Sequence, residues 1–218
     1  MVKNGGLLIR LGRKGFTLIE LLVSVAIMTI ILGITLSGGP QSIMKLTLTD
    51  NAYKSELMIR ESQLQGSAVN SFGGLFGGVG VYFDLATSSV VQKFRDKVDP
   101  GSTRAIKIGN GLYDQSVTEE TGEALKLTNN HRVGKLCVAR GIEVLTCNED
   151  NTPTVKNLTI SFSRPKQTAN IYINNDAAES YSVACVQFDS LKSPSPGYVR
   201  SVYVYRSGMI VKKLGTCI

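Results

Sequence analysis

The sequence predicts an α+β chain, in which a long N-terminal helix, apolar in its first half, leads into an antiparallel β domain. Three observations carry this. Residues 18–36 are 19 positions whose only charge is Glu20. Residues 41–64 keep a helix-like mixture of apolar and charged side chains. Beyond residue 79 the apolar residues fall into short runs punctuated by Gly, Asn and Pro. As a helix, a stretch of 19 residues is roughly 28 Å long, close to the ~30 Å hydrocarbon thickness of a bilayer. The 218 residues therefore divide into a membrane segment and one water-facing domain.

Charge and cysteine usage agree with that division. Of the 24 basic residues, Lys3, Arg10, Arg13 and Lys14 precede the apolar run, with no acid among them. Without residues 1–15 the chain has 20 basic and 17 acidic residues, so more than half of the net +7 is a positive-inside signal holding the N-terminus in the cytoplasm. Cys137, Cys147, Cys185 and Cys217 all follow the membrane segment, and none has the close spacing of a redox or zinc pair. An exported domain with four separated cysteines predicts disulfides, with three pairings open. We favour Cys137–Cys147 across a hairpin and Cys185–Cys217 tying down the C-terminus. The latter closes a loop worth ~3–4 kcal/mol in the chain-entropy model. Reduced core thiols are the alternative.

The N-terminus is the most informative segment. A signal peptide would end its apolar run in a small-residue cleavage site, but here the small residue, Gly15, comes before the run. A plain signal anchor leaves Glu20 unexplained, since a carboxylate within a spanning helix costs about 2.5–3.5 kcal/mol on insertion scales. The string Lys14-Gly15-Phe16-Thr17-Leu18-Ile19-Glu20-Leu21 resembles the processing site of type IV prepilins and type II secretion pseudopilins. The resemblance implies that a prepilin peptidase cuts after Gly15 and methylates the new amine of Phe16. It also implies that Glu20 meets the amine of a neighbouring subunit in a filament, and that the fold is a pilin fold. On this reading residues 1–15 are a leader, 16–39 an assembly helix, 40–66 its amphipathic second half and 67–218 an exported β domain. The implied partners are other pilins or pseudopilins, the peptidase, the inner-membrane assembly platform and membrane lipid, with the β domain periplasmic or extracellular.

Gly38-Gly39-Pro40 predicts a kink or melted turn. The following helix is expected to pack an apolar face, with Ile43, Leu46, Leu57 and Leu64, on the domain. The glycine-rich residues 67–80 lack the lysine of a phosphate-binding loop and read as a link. Strands are expected at 79–83, 135–139, 142–147, 156–163, 169–174, 182–188, 198–205 and 209–213, with a hairpin at 104–113 turning at Asn110-Gly111. This strand-rich layout and its C-terminal hairpin resemble the H-type minor pseudopilins of type II secretion and related minor pilins.

No catalytic constellation, cofactor site or metal site is expected, and the chain reads as a non-enzyme. His131 lies in a polar stretch and reads as a surface residue. Glu119 and Glu120 read as solvated loop acids, as do Glu149 and Asp150, which with Asn151 lack the spacing of a calcium loop. Asn157-Leu158-Thr159 matches a glycosylation sequon on a strand, a poor acceptor. The remaining candidate is a weak nucleic-acid contact by Arg200, Arg206, Lys212 and Lys213. Alternation places Arg200 and Arg206 away from the neighbouring tyrosines.

Overall fold

The computed structural model describes residues 15–37, 39–68, 78–96, 109–113, 120–141, 144–148, 155–163, 167–177, 181–191 and 196–218. The chain separates into two units, Met1–Ser42 and Ile43–Ile218. The first contains helix α1 (Leu18–Ser37), exposed along its described side chains. Its hydroxyls are satisfied within the helix: Ser24 donates to the Glu20 carbonyl, Thr29 to Ala26 at 2.9 Å and Thr35 to Leu32 at 3.0 Å. Such back-bonding keeps polar groups paired where no water is present. Helix α2 (Gly39–Ser67) opens with Gly39 and Pro40 in its first turn, where proline is tolerated. The expected break therefore does not include these two residues, and Gly38 lies outside the described residues.

From Ile43 onward α2 belongs to the second unit, with ten strands among its described residues: β1 (Val79–Asp84), β2 (Val90–Arg95), β3 (Glu120–Lys126), β4 (His131–Ala139), β5 (Thr146–Cys147), β6 (Asn157–Phe162), β7 (Ala169–Ile173), β8 (Val183–Ser190), β9 (Arg200–Tyr205) and β10 (Ile210–Leu214). They form two antiparallel five-stranded sheets, ordered β3-β2-β1-β6-β7 and β10-β9-β8-β4-β5. One core joins them. Val81, Phe83, Leu158, Ile160 and Phe162 of the first sheet cluster with Leu136, Val186, Phe188, Val202 and Val204 of the second, and with Leu48, Ala52, Met58 and Ile59 of α2.

The face that α2 buries is not the expected one. Ile43, Leu46, Leu57 and Leu64 are exposed, Leu46 at 72% and Leu64 at 70%. The buried stripe is Leu48, Asn51, Ala52, Ser55, Met58, Ile59, Ser62 and Gly66, at the three- and four-residue spacing of one helix face. Much of it is small or polar, and for that reason it does not read as a core face. Ser55 and Ser62 donate to the carbonyls of Asn51 and Met58 at 2.9 and 2.8 Å, so burial leaves neither hydroxyl unpaired. At Gly66 an added Cβ would fall 2.3 Å from the Phe162 carbonyl oxygen. Small residues let the helix backbone approach the sheets closely.

Two strands were not expected. In β2, Lys93 interrupts the apolar alternation, yet it is buried and its Nζ lies 2.7 Å from Glu61 of α2. β3 is an edge strand of low β propensity, and it begins at Glu120, which is therefore no loop acid. The expected hairpin at 104–113 is not found within the described residues: 109–113 holds no strand, and 104–108 lies outside them. Gly111, at φ +81°, donates its N–H to Asp96 at 2.7 Å. Tyr113 covers Tyr82 and Phe94 on the outer face of the first sheet, with ring centroids 4.6 and 5.4 Å away. The expected strand at 142–147 is confined to Thr146 and Cys147 among the described residues, and Tyr198 lies in a single 3₁₀ turn rather than in β9.

The outer face of the second sheet carries the cysteines. Cys137 is bonded to Cys147 and Cys185 to Cys217. Cys147, Cys137, Cys185 and Tyr203 are successive cross-strand partners in β5, β4, β8 and β9. The Tyr203 hydroxyl accepts from the Ile218 N–H at 3.0 Å and donates to its carbonyl at 3.1 Å, holding the C-terminus on the sheet.

The burial pattern of α2 gives a direct test. Ile59→Ala should destabilise the domain by about 2–5 kcal/mol, whereas Leu64→Ala should shift it by no more than about 0.5 kcal/mol. Urea unfolding of the detergent-solubilised chain, followed by near-UV circular dichroism, measures both.

Candidate functional site

The site is built at the start of α1, and its local chemistry begins with Thr17. The Thr17 hydroxyl accepts the N–H of Glu20 at 3.3 Å, and the Thr17 carbonyl accepts that of Leu21 at 3.2 Å. Thr17 is thus the N-cap, Leu18 the first helical residue and Glu20 the third. Thr-x-x-Glu ahead of an apolar run is a capping-box sequence, a signal present in the chain that the sequence reading did not use. Glu20 sits where the helix dipole favours negative charge. Its carboxylate is exposed and has no hydrogen-bond or ion-pair partner among the described residues.

Gly15 and Phe16 precede the cap, and both are exposed. A Cβ at Gly15 would meet nothing within 4 Å, and its φ is not in the left-handed region. Nothing among the described residues calls for glycine there. From Leu18 to Thr35 the helix is long and apolar enough to cross a membrane, and none of that stretch is buried against the rest of the chain.

The C-terminal basic residues do not share one surface. Arg200 faces α2, donating from Nε to the Thr49 hydroxyl at 3.1 Å. Lys212 also faces α2, its Nζ 4.9 Å from the Tyr53 ring centre and 4.0 Å from Glu56. Lys213 lies on the opposite face, 4.6 Å from the Tyr203 ring centre. Arg206 is exposed in the turn after β9. Among the described residues no cluster of three or more metal-binding side chains occurs, and Glu119, Glu149, Asp150 and Asn151 lie outside them.

His131 is not a surface residue. It opens β4 with 1% exposure, and the Asn51 amide of α2 donates to its Nδ1 at 2.9 Å. The same amide reaches the Thr128 carbonyl at 3.3 Å. The turn at Asn129 and Asn130, both at positive φ, aims the imidazole under α2; the polar sequence around it gives no sign of that. Burial holds His131 below its usual value, against smaller upward pulls from the Thr128 backbone and the Asp189 carboxylate.

A family model described as a prokaryotic N-terminal methylation motif matches residues 10–36. No curated protein and no solved structure matches the chain. The match covers Gly15, Phe16, Thr17, Glu20 and the whole apolar span, and supports a type IV pilin-like protein. It points to a structural subunit that is processed by prepilin peptidase and assembles with other pilins. The β domain is not covered by it.

Because the folded state favours neutral His131, the unfolded chain takes up its proton first as pH falls. The contribution is complete above about pH 6.5, the ordinary histidine value, and is lost as pH drops through the lower folded-state value. The urea midpoint should therefore decline as pH falls below about 6.5. His131→Gln should start lower and show a flatter profile over that window.

Proposed function

We propose that this chain is a minor pilin or pseudopilin, cut after Gly15 by prepilin peptidase, N-methylated at Phe16 and assembled through α1 into a type IV pilus or type II secretion filament. The observation that carries the reading is the coincidence of the methylation motif with an apolar helix exposed from Leu18 to Thr35, whose one carboxylate has no partner among the described residues. Such a helix must be covered by lipid or by other helices, since apolar surface in water is costly. Cleavage would leave a cationic amine at Phe16, one residue before the N-cap, where the helix dipole disfavours positive charge. A carboxylate from Glu20 of a neighbouring subunit offsets that charge in a site with little water, and each group alone would be penalised there. The open space around Gly15 supports a requirement for glycine set by the peptidase rather than by the fold. The exposed stripe Ile43, Leu46, Tyr53, Leu57 and Leu64 extends the apolar surface available for helix packing along α2.

The two-sheet layout with its β9–β10 hairpin supports the H-type minor subunits as the nearest subtype, with the N-terminus cytoplasmic and the β domain outside. The alternative is a tip module binding DNA or a surface through Arg200, Arg206, Lys212 and Lys213. It has less support, because α2 engages Arg200 and Lys212 while Lys213 lies on the other face. Charge reversal at Arg206 and Lys213 separates the readings: assembly survives under the first, and salt-sensitive DNA binding disappears under the second.

Co-expression with a prepilin peptidase should yield a chain that begins at Phe16 with one added methyl group, by intact mass and N-terminal analysis. Gly15→Val should remain uncut. Glu20→Val should be cut normally and leave the unfolding midpoint of the β domain unchanged, but fall at least tenfold in sheared filament fractions. An uncut wild-type chain beside a competent peptidase would sink the proposal.

A further inference from the structure

The apolar span ends at Thr35, and Ile43 follows eight positions later. At the rise of a helix this is about 12 Å of path, and even fully extended it is about 28 Å. Covalent connection therefore holds the first turns of α2 near the headgroup layer whenever α1 is in a bilayer. Ile43 and Leu46 are exposed there at 59% and 72%, beside exposed Lys45. Contacts within the second unit bring two loops to the same end. Asn129 donates to the Thr47 hydroxyl at 3.0 Å, and Leu191, 58% exposed, donates its N–H to Asn130 at 3.1 Å. Lys45 lies 4.9 Å from the ring centre of Tyr198, and Arg200 lies two residues beyond.

The charges at this end are one-sided. Asp50 is paired with Lys54 at 2.7 Å and Asp189 with Arg132 at 2.9 Å, whereas Lys45 has no carboxylate partner among the described residues. Exposed aliphatic side chains beside an exposed lysine fit the interface of an anionic bilayer, where apolar groups enter the acyl boundary and cations meet headgroups. DNA would offer Ile43 and Leu46 no apolar phase, and no tether delivers it. We propose that, before assembly, this end of the β domain docks on anionic lipid headgroups of the leaflet from which α1 emerges, through Ile43, Lys45, Leu46 and Leu191. The proposal rests on the membrane-anchored reading of α1. The docked end would orient the subunit for entry into a filament.

The chain contains no tryptophan, so one introduced residue reports alone. Leu46→Trp places the reporter at the docking end. Met209→Trp places it beside the Gly208 carbonyl, which Gln63 binds at 3.0 Å, about 26 Å further along α2. Each full-length variant is reconstituted in phosphatidylcholine vesicles with and without phosphatidylglycerol, both carrying a headgroup spin-labelled lipid. With phosphatidylglycerol, quenching at position 46 should exceed that at 209 several-fold, and Lys45→Gln should at least halve it. Equal quenching at the two positions, or quenching indifferent to both phosphatidylglycerol and Lys45, overturns the proposal. Carbonate extraction of the same vesicles separates the failures. A retained chain whose reporter at position 46 stays unquenched defeats the docking alone, whereas an extracted chain defeats the anchor and the docking with it.

Discussion

Close approach of α2 to two sheets is the contact on which the rest of the β domain depends. Neither five-stranded sheet can bury its inner face alone, and both turn it to the same helix. The contact surface on α2 is made of small residues and self-satisfied serines between a few large ones, Leu48, Met58 and Ile59. A larger residue at Gly66 would strike the backbone of β6. The polar contacts across this seam, Asn51 to His131 and Glu61 to Lys93, join one helix to strands of both sheets. Hydrophobic burial supplies the attraction, and these pairings restrict how the helix can be seated.

With that face committed, the other side of α2 is left apolar and uncovered, as is α1 from Leu18 to Thr35. A chain with this much exposed aliphatic surface is built for another phase or for other copies of its kind. The two environments place different demands on it. Lipid requires backbone and hydroxyl groups to be satisfied internally, as they are at Ser24, Thr29 and Thr35. A filament requires register, which a lone carboxylate near the helix start can supply when matched to an amine. The outer faces of the sheets are closed locally, by Tyr113 over the first and by two disulfides and the C-terminus over the second.

Legibility followed the range of the interaction. Strands such as β6, β8 and β9 were readable because each is a short run rich in β-branched and aromatic residues, buried along nearly its whole length. β2 was obscured by one buried lysine whose partner is 32 positions earlier in the chain, and β3 by a sequence with little intrinsic preference for a strand. At the processing site the motif was plain, but the role of Thr17 as a cap became visible only with its hydrogen bond. His131 was misjudged because its local sequence is polar and the group that receives it, Asn51, lies 80 residues away.

What the sequence by itself determined is whatever is local or covalent: the N-terminal methylation motif, the length of the apolar span, the glutamate within it, the α+β class and an even set of cysteines beyond the span, for which the favoured pairing is the one formed. The tertiary structure alone decided which side of α2 is core, where His131 lies and how the basic residues of the C-terminal strands divide between two faces. The reason is physical. A helix carrying apolar residues on opposite sides has no preferred buried face until a surface of complementary shape is brought against it, and here close backbone approach favoured the side with small residues over the side with more hydrocarbon.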